Sequence, residues 1–466
     1  MQLWIYWWNA IRLLRPACSR GRTFMWFVVC VAGLTVRTEL MGVTSVIRAL
    51  GLHQRFYDNL LDCFHSPGIK LDGMSVLWAK IVLRLFPGIV RVNDRIVLVG
   101  DGIKVAKQGK KMPAVKLLHQ ESESNSKAEY IMGHSYQAVS LLTQAGGSVF
   151  AVPLVMRIHE GIVQSNRDKR TLLDKMISLL VILNVTQQFY FVADAYYASG
   201  KIVRGLLGQG NHLITRAKSN AVAYQPCNQQ GKKSRGRPRV YGNKVALKSL
   251  FHDQQGWEET PSPVYGEKGV TIAYKICDLL WRPAGGIVRF IIVSHPTRGR
   301  CLLMSTDITL SATEIIRLYG LRFKIEHAFK QAIHIIGAFS YHFWMKEMKP
   351  LQRRNGNQYL HKASQTYRDG VKRKIHAYHV FVLAGIVSQG LLQYLAACHT
   401  ELVWKSFGSW LRTIRPGVAP SELVVATALR HCLPEFLLAN SKSNNLAKFI
   451  TERQDLDRMV LFRLVS

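Results

Sequence analysis

The sequence predicts an α/β protein in which a mixed sheet is flanked by helices and interrupted by a β-rich insertion. Residues 91–216 alternate short apolar runs with helical patterns, which is typical of a sheet with helices on its faces. Residues 217–308 are rich in Gly, Pro, Lys and Arg and carry short β-type runs. Helical patterns dominate residues 1–90, and residues 341–466 are first basic and then helical.

The N-terminal region is predicted to be helical. Ser75–Phe86 is its longest amphipathic segment, and Pro87-Gly88 ends that helix. The most apolar stretch, Phe24–Val36, is shorter than the roughly 20 residues that span a bilayer. We interpret it as a buried helix rather than a signal peptide, because helical patterning continues to Leu50. Residues 1–90 form either a module that binds DNA ends or a helical cover, and the pattern leaves both open.

Five strands and two helices are predicted in the first part of the α/β region. The strands are 95–101, 136–145, 148–157, 188–194 and 211–216, and the helices are Asp168–Asn184 and Ser199–Leu207. Ala145-Gly146-Gly147 predicts a hairpin between the second and third strands. Three sequential strands followed by β-α units predict a mixed sheet.

Short strands and then a helix follow. The insertion is predicted to contain strands at 269–277, 287–293 and 300–304. Residues 309–340 return to a helical pattern and close the α/β region.

The charge is strongly unbalanced. There are 62 Lys and Arg against 29 Asp and Glu, a formal net charge of +33, which predicts a nucleic acid partner. A structural RNA-binding protein is the alternative, but such chains are usually shorter and poorer in Trp and Phe. The eight cysteines form no CxxC pair. We expect reduced thiols in a cytosolic protein rather than disulfides or zinc ligands.

Two carboxylates follow apolar runs. Asp101 ends the run Arg95–Asp101, and Asp194 ends the run Gln188–Asp194. Charged residues directly after buried strands lie where ligands meet strand ends in α/β proteins. The alternative for each aspartate is a helix N-cap or a turn former.

A third carboxylate lies in the closing helix. Tyr319, Arg322, Glu326 and Lys330 share one helical face. Arg322 and Lys330 form either helix salt bridges with Glu326 or contacts with phosphates beside a metal ion. Two acids at strand ends and one on a helix can converge, and three close carboxylates repel unless cations neutralise them. In so basic a chain this predicts two Mg²⁺ ions acting on phosphodiesters, with Mn²⁺ as a substitute.

The spacing Tyr319-x2-Arg322-x3-Glu326 resembles the signature of the IS4-type insertion-sequence group of DDE transposases. The contexts of Asp101 and Asp194 and the β-rich insertion are also similar, and the resemblance covers about residues 40–340.

The sequence departs from the family pattern at one position. The pattern continues with Lys seven residues after the glutamate, where this chain has Ile333. Lys330, one helical turn after Glu326, is in position to supply the missing charge.

The resemblance implies an RNase H-like core and cut-and-paste transposition, with cleavage at transposon ends and strand transfer into target DNA. It implies two Mg²⁺ ions held by Asp101, Asp194 and Glu326. The implied partners are double-stranded DNA, at the ends and at the target, and a second copy in a synaptic homodimer, with no membrane. The implied location is the bacterial cytoplasm, at the nucleoid. Some relatives form a DNA hairpin, so Trp257 and Trp281 either stack on a flipped base or pack in a β core.

Basic residues are the predicted phosphate contacts. Arg322 and Lys330 would hold the non-reacting phosphates, and Tyr319 would bond a phosphate oxygen or simply pack. Lys104 and Lys107 begin a lysine-rich run after Asp101 that would line the approach to the site.

A second basic segment lies in the insertion. Arg235 and Arg237 belong to an Arg-Gly-Arg-Pro core that looks like an AT-hook, which inserts into a narrow minor groove. The alternative is an exposed basic loop.

Two other functions remain open. One is an RNase H-like nuclease or resolvase that cuts without joining, although such chains are usually shorter and lack the insertion. The other is an inactive, transposase-derived DNA-binding protein, against which the intact acids argue.

Overall fold

The computed structural model describes residues 1–120, 128–218, 220–227, 239–264, 266–408 and 414–455. Thirteen of the described strands form one mixed sheet, and the other two form a small parallel pair. The strands are β1 (Arg91–Val92), β2 (Arg95–Ala106), β3 (Lys116–His119), β4 (Tyr130–Ala145), β5 (Ser148–Ile158), β6 (Ile162–Val163), β7 (Phe189–Ala193), β8 (His212–Arg216), β9 (Val222–Pro226), β10 (Tyr241–Ala246), β11 (Glu258–Pro261), β12 (Thr271–Trp281), β13 (Gly286–His295), β14 (Gly299–Ser305) and β15 (Gln358–Tyr359).

The core of the sheet has the strand order β5-β4-β2-β7-β8. β2, β4 and β5 are antiparallel neighbours, whereas β2, β7 and β8 run parallel. Three antiparallel strands followed by two parallel ones, with the first strand in the centre, is the arrangement of RNase H-like proteins. The predicted fold class is therefore confirmed, and the predicted hairpin joins β4 to β5 at Gly146 and Gly147.

The insertion does not form a separate sheet. β14 pairs antiparallel with β8, and β13, β12, β9 and β10 then continue the same sheet outward. β12 and β13 pair over nine consecutive residues, from Ala273 with Ser294 to Trp281 with Gly286. The strands of the insertion are thus hydrogen-bonded, through β14, to the strands of the core.

Helices cover the sheet and form the two ends of the chain. They are α1 (Gln2–Ile11), α2 (Gly21–Val36), α3 (Thr44–Leu50), α4 (Tyr57–His65), α5 (Leu71–Leu85), α6 (Leu172–Leu183), α7 (Gly200–Leu207), α8 (Ala312–Leu321), α9 (Phe323–Gln331), α10 (Gln365–Cys398), α11 (Thr400–Phe407), α12 (Glu422–Asn440) and α13 (Asn445–Thr451). α9 is followed by a π-helical turn at Ala332–Ile336, and Gly337 then reverses the chain with φ of 65°.

The long helix α10 is the centre of the helical layer. It packs on β5 and on β4, and α2, α4, α5 and α12 pack around it. By length and composition α10 could cross a membrane, but 89% of its most apolar window is buried inside the fold. A helix surrounded on all sides by other elements is apolar all round for that reason.

The N-terminal helices share this core. Phe24–Val36 lies within α2 and is almost entirely buried, so the predicted buried helix is confirmed. The indole of Trp4 donates to the Leu429 carbonyl at 2.8 Å and stacks on Phe436. This packing agrees with the interpretation of residues 1–90 as a cover, and a role in binding DNA ends stays a prediction.

Candidate active site

The site lies where the parallel pairing of β2, β7 and β8 ends, which for β2 is at Gly100, whereas the strand itself continues to Ala106. Gly100 pairs with Ala193 between β2 and β7, and Ala193 pairs with Thr215 between β7 and β8. The next residues along these strands, Asp101, Asp194 and Arg216, therefore lie side by side at about 4.8 Å strand spacing.

Local packing fixes the position of each aspartate. Gly100 precedes Asp101 because a Cβ there would overlap the ring of Phe191. Asp101 Oδ1 accepts from the Gly102 amide at 2.7 Å. Asp194 caps the short helix at Ala195–Tyr197 by accepting from the Tyr196 amide at 3.0 Å, and its carbonyl accepts from Thr215 Oγ1 at 2.6 Å. Asp194 is thus an N-cap and also a member of the acidic cluster.

Arg322 joins the helical carboxylate to the strand carboxylates. Its Nη1 donates to Asp101 Oδ2 at 3.0 Å, and its Nη2 donates to Glu326 Oε1 at 2.7 Å. The side chains of Arg322 and Asp101 are each 18% exposed, so the ion pair is screened only partly by water. The helix salt bridge considered for Arg322 and Glu326 is present, and the same guanidinium also reaches Asp101, 221 positions earlier.

The electrostatics reflect crowding of negative charge. Burial and the neighbouring Asp194 carboxylate raise the pKa of Asp101 to about 6, although the Arg322 guanidinium opposes this. Burial, together with Asp101 and Asp194, also raises the pKa of Tyr197 well above its ordinary value. A strongly perturbed carboxyl group beside other acids is typical of a functional site.

The three carboxylates suit a hard divalent cation, because Mg²⁺ prefers oxygen ligands. Burial and the neighbouring carboxylates disfavour the ionised form of Asp101, and a bound cation would favour it. Within the described residues, no three His, Cys, Asp or Glu side chains are already arranged around one point as metal ligands. Arg322 instead bonds two of the acids, so a cation shared by Asp101 and Glu326 would have to replace it.

The other residues of the predicted helical face lie around Arg322 and Glu326 with different exposures. Tyr319 is half-buried, and burial raises its pKa to about 12, with the charges of Arg322 and Arg216 opposing the rise. Lys330 is exposed. Ile333, at the position where the family pattern has lysine, is 37% exposed and lies in the π-helical turn after α9.

Two lysines that were predicted to contact phosphate, Lys107 and Lys104, do not face the acidic cluster as exposed side chains. Lys107 is only 8% exposed; its ammonium donates to the Phe339 carbonyl and lies 3.7 Å from the centroid of the Tyr341 ring. The prediction that Lys107 contacts phosphate is therefore wrong, because its charge is enclosed by the chain. Lys104 is exposed and donates to the His119 carbonyl at 2.7 Å, but it projects from the face of β2 opposite to Asp101.

Other predicted residues are outside or away from the cluster. Arg235 and Arg237 lie outside the described residues. Trp281 is only 7% exposed, so it packs in the β core rather than being available for a base. Trp257 is half-buried, and its indole donates to the Asp253 carbonyl at 2.7 Å.

Sequence reasoning missed Arg216 and Tyr197. Arg216 is exposed beside Asp194 at the end of β8, a position with the same strand-end signal as the two aspartates. Tyr197 lies three residues after Asp194, and its hydroxyl accepts a long hydrogen bond from Gln137 at 3.4 Å. The available signal was the position of Arg216 at the end of the predicted strand 211–216, but its side chain is basic, whereas the predicted site consists of acids.

The chain is similar to a solved structure and matches a protein-family model. A solved structure described as the piggyBac transposase synaptic complex with hairpin DNA is similar with a TM-score of 0.40 and 9% sequence identity. The similarity covers 93% of this chain and 75% of that one. A search of curated proteins found no significant match. The family model described as DDE superfamily endonuclease matches residues 14–277, more than half of the chain. The chain therefore belongs to the DDE superfamily endonuclease family.

Proposed function

We propose that this protein is a DNA transposase that cuts at the ends of a mobile element and joins those ends to target DNA. The observation that carries the proposal is that Asp194 and Glu326 lie close enough to Asp101 to raise its pKa, at one sheet edge in a chain of net charge +33. Membership of a DDE endonuclease family supports phosphodiester chemistry at that edge. The IS4-type signature in the helix supports the finer assignment to cut-and-paste transposition.

Asp101, Asp194 and Glu326 would hold two Mg²⁺ ions, or Mn²⁺ in their place. Bound there, the ions would supply Lewis acidity, which would activate water and then the freed 3′-OH and would stabilise negative charge on the scissile phosphate. Arg322 would move from the carboxylates to a non-reacting phosphate, since its planar guanidinium bonds either group in the same way.

The remaining contacts extend the phosphate-binding surface. Arg216 on β8 and Lys330 on α9 are exposed, and we propose that they hold the DNA backbone beside the acids. Tyr319 would orient a phosphate oxygen through its hydroxyl.

The proposed partners are double-stranded DNA and a second copy of the chain. Joining two ends in one reaction requires two active sites in one complex, which a homodimer provides. Such a protein would work at the bacterial nucleoid.

The test uses the purified chain, DNA carrying the element's own ends, and Mg²⁺. Wild type should cleave the ends and join them to target DNA, whereas Asp194→Asn should bind the ends and cleave at least a thousandfold more slowly. Asn caps helices as well as Asp does, so the variant should stay folded. Asp94→Asn, in the exposed turn before β2, is the matched control and should keep full activity.

Cleavage without joining by wild type would identify a nuclease rather than a transposase. Full activity in Asp194→Asn would reduce Asp194 to a cap and reject the proposed site.

A further inference from the structure

An exposed tryptophan lies in a basic surface in the segment after α9. Trp344 is 62% exposed, although it follows a buried residue, Phe343, and precedes another, Met345. No hydrogen bond from its indole to another described residue is present. The exposed indole therefore offers a π face to a partner, and the residues around it decide which partner it suits.

The backbone around Trp344 is fixed on both sides. The Met345 amide donates to the Lys111 carbonyl at 2.9 Å, and the Phe343 carbonyl accepts from Tyr378 Oη at 2.7 Å. The indole nitrogen lies 3.1 Å from where a Cβ of residue 109 would be, so the ring rests against the backbone of Gly109. The ring is therefore presented by a rigid support rather than by a loose loop.

The surroundings are cationic. The segment after Trp344 runs alongside the lysine-rich loop after β2, with the Leu351 amide donating to the Lys110 carbonyl and the Leu117 amide donating to the Asn355 carbonyl. Exposed cations in these two strips are Lys110, Lys346, Lys349, Arg353, Arg354 and Lys362, with Glu347 as the exposed acid in residues 341–362. An aromatic ring among exposed cations suits a polyanion that carries π faces.

We propose that Trp344 and the cations around it bind DNA by stacking the indole on an unpaired or extruded base. The cations would hold the phosphates on either side, and the ring would replace the base's lost neighbour. Gly109, on which the ring rests, follows Asp101 by eight residues, so it lies at most roughly 27 Å from Asp101, about the length of eight base pairs of duplex. The inference rests on the proposed function only for its choice of DNA as the polyanion.

The test compares two synthetic duplexes of the same sequence, one fully paired and one with a single unpaired 2-aminopurine. Binding to the full-length chain is measured in EDTA, which prevents cleavage, together with 2-aminopurine fluorescence. Wild type should prefer the bulged duplex by at least fivefold and quench its fluorescence, since stacking on an aromatic ring is worth roughly 5- to 150-fold per base. Trp344→Ala should bind both duplexes within twofold of each other and lose the quenching, whereas Trp344→Phe should keep most of both.

The controls separate stacking from charge and from folding. Tyr359→Ala removes an equally exposed ring from the same basic segment, one that lies edge-on to His361, and should keep the preference. Lys346→Ala should weaken binding to both duplexes alike and lower the salt dependence by about one phosphate contact. Every variant should unfold at the wild-type temperature.

The proposal is overturned if wild type shows no preference, if Trp344→Ala retains it, or if Tyr359→Ala loses it equally. These results are independent of catalysis. A preference without Mg²⁺-dependent cleavage would refute the transposase and leave the stacking surface, and cleavage without a preference would do the reverse.

Discussion

Replacing Asp101 with asparagine is expected to stabilise the protein in the absence of metal. The folded chain raises the pKa of this carboxyl from 3.8 to about 6, through burial and the nearby Asp194. The ionised form is thus disfavoured in the fold, by about 3 kcal/mol at most. Asn has nearly the shape of the neutral acid and carries no charge, so it avoids this cost.

The effect has a definite dependence on pH. Between about pH 4 and pH 6 the folded chain holds the Asp101 proton while the unfolded chain has lost it, so wild-type stability falls as the pH rises through this window. The advantage of Asp101→Asn should therefore be near zero at pH 4 and approach 3 kcal/mol at pH 8. With an unfolding entropy of about 2.1 cal/mol/K per residue, this is roughly 3 °C in Tm.

Thermal unfolding in EDTA from pH 4 to pH 8 measures this difference directly. Mg²⁺ should stabilise wild type more than the variant and so reduce the gap. Asp94→Asn, an exposed aspartate, is the control and should show no pH-dependent advantage. A variant that is less stable than wild type at pH 8, or whose advantage is the same at every pH, would refute the electrostatic account of the site.

Three further predictions follow from other contacts. In calorimetry without DNA, Arg322→Ala should bind Mn²⁺ at least fivefold more tightly than wild type, because the ion no longer has to displace the guanidinium. Arg317→Ala, which removes a salt bridge within α8, is the control and should bind Mn²⁺ as wild type does. Unchanged affinity in both variants would exclude competition between Arg322 and the ion. Gly100→Ala should lower the free energy of unfolding by about 1 to 3 kcal/mol, because the added Cβ overlaps the ring of Phe191, and adding Phe191→Leu should restore part of the loss. Lys107→Met should fold and bind DNA within twofold of wild type, whereas a loss of tenfold or more would return Lys107 to the DNA surface.

The strand ends and the helical stripe were predictable because each has a strong local signal. Asp101 and Asp194 follow runs of buried residues, and the polar positions around Glu326 recur with the period of a helix. The predicted strands match β5, β7 and β8 closely, whereas β4 begins at Tyr130, six residues before its predicted start, and β2 continues to Ala106 beyond its predicted end. That extension carries Ile103 and Val105 on the same face as Asp101.

What the sequence did not reveal depends on contacts between distant segments. Lys107 continues the Asp101 face of β2, but only the chain after α9, at Phe339 and Tyr341, encloses it. Arg322 bonds Asp101 because α9 packs across β2, a pairing that helical periodicity alone does not specify. The joining of β14 to β8 is likewise a matter of tertiary pairing rather than of local pattern.

The continuity of the sheet limits how this protein can move. A path of backbone hydrogen bonds runs from the insertion through β14 and β8 to β7, the strand that leads into Asp194. Swinging the insertion away from the acids as a hinged lid would break the β14–β8 ladder, at about 1 kcal/mol per hydrogen bond. The sheet therefore resists bending between the insertion and the acidic edge. A DNA duplex that contacted the insertion and the acidic edge together would have to bend to do so. DNA sequences that bend easily would then be favoured, even where the protein contacts none of their bases.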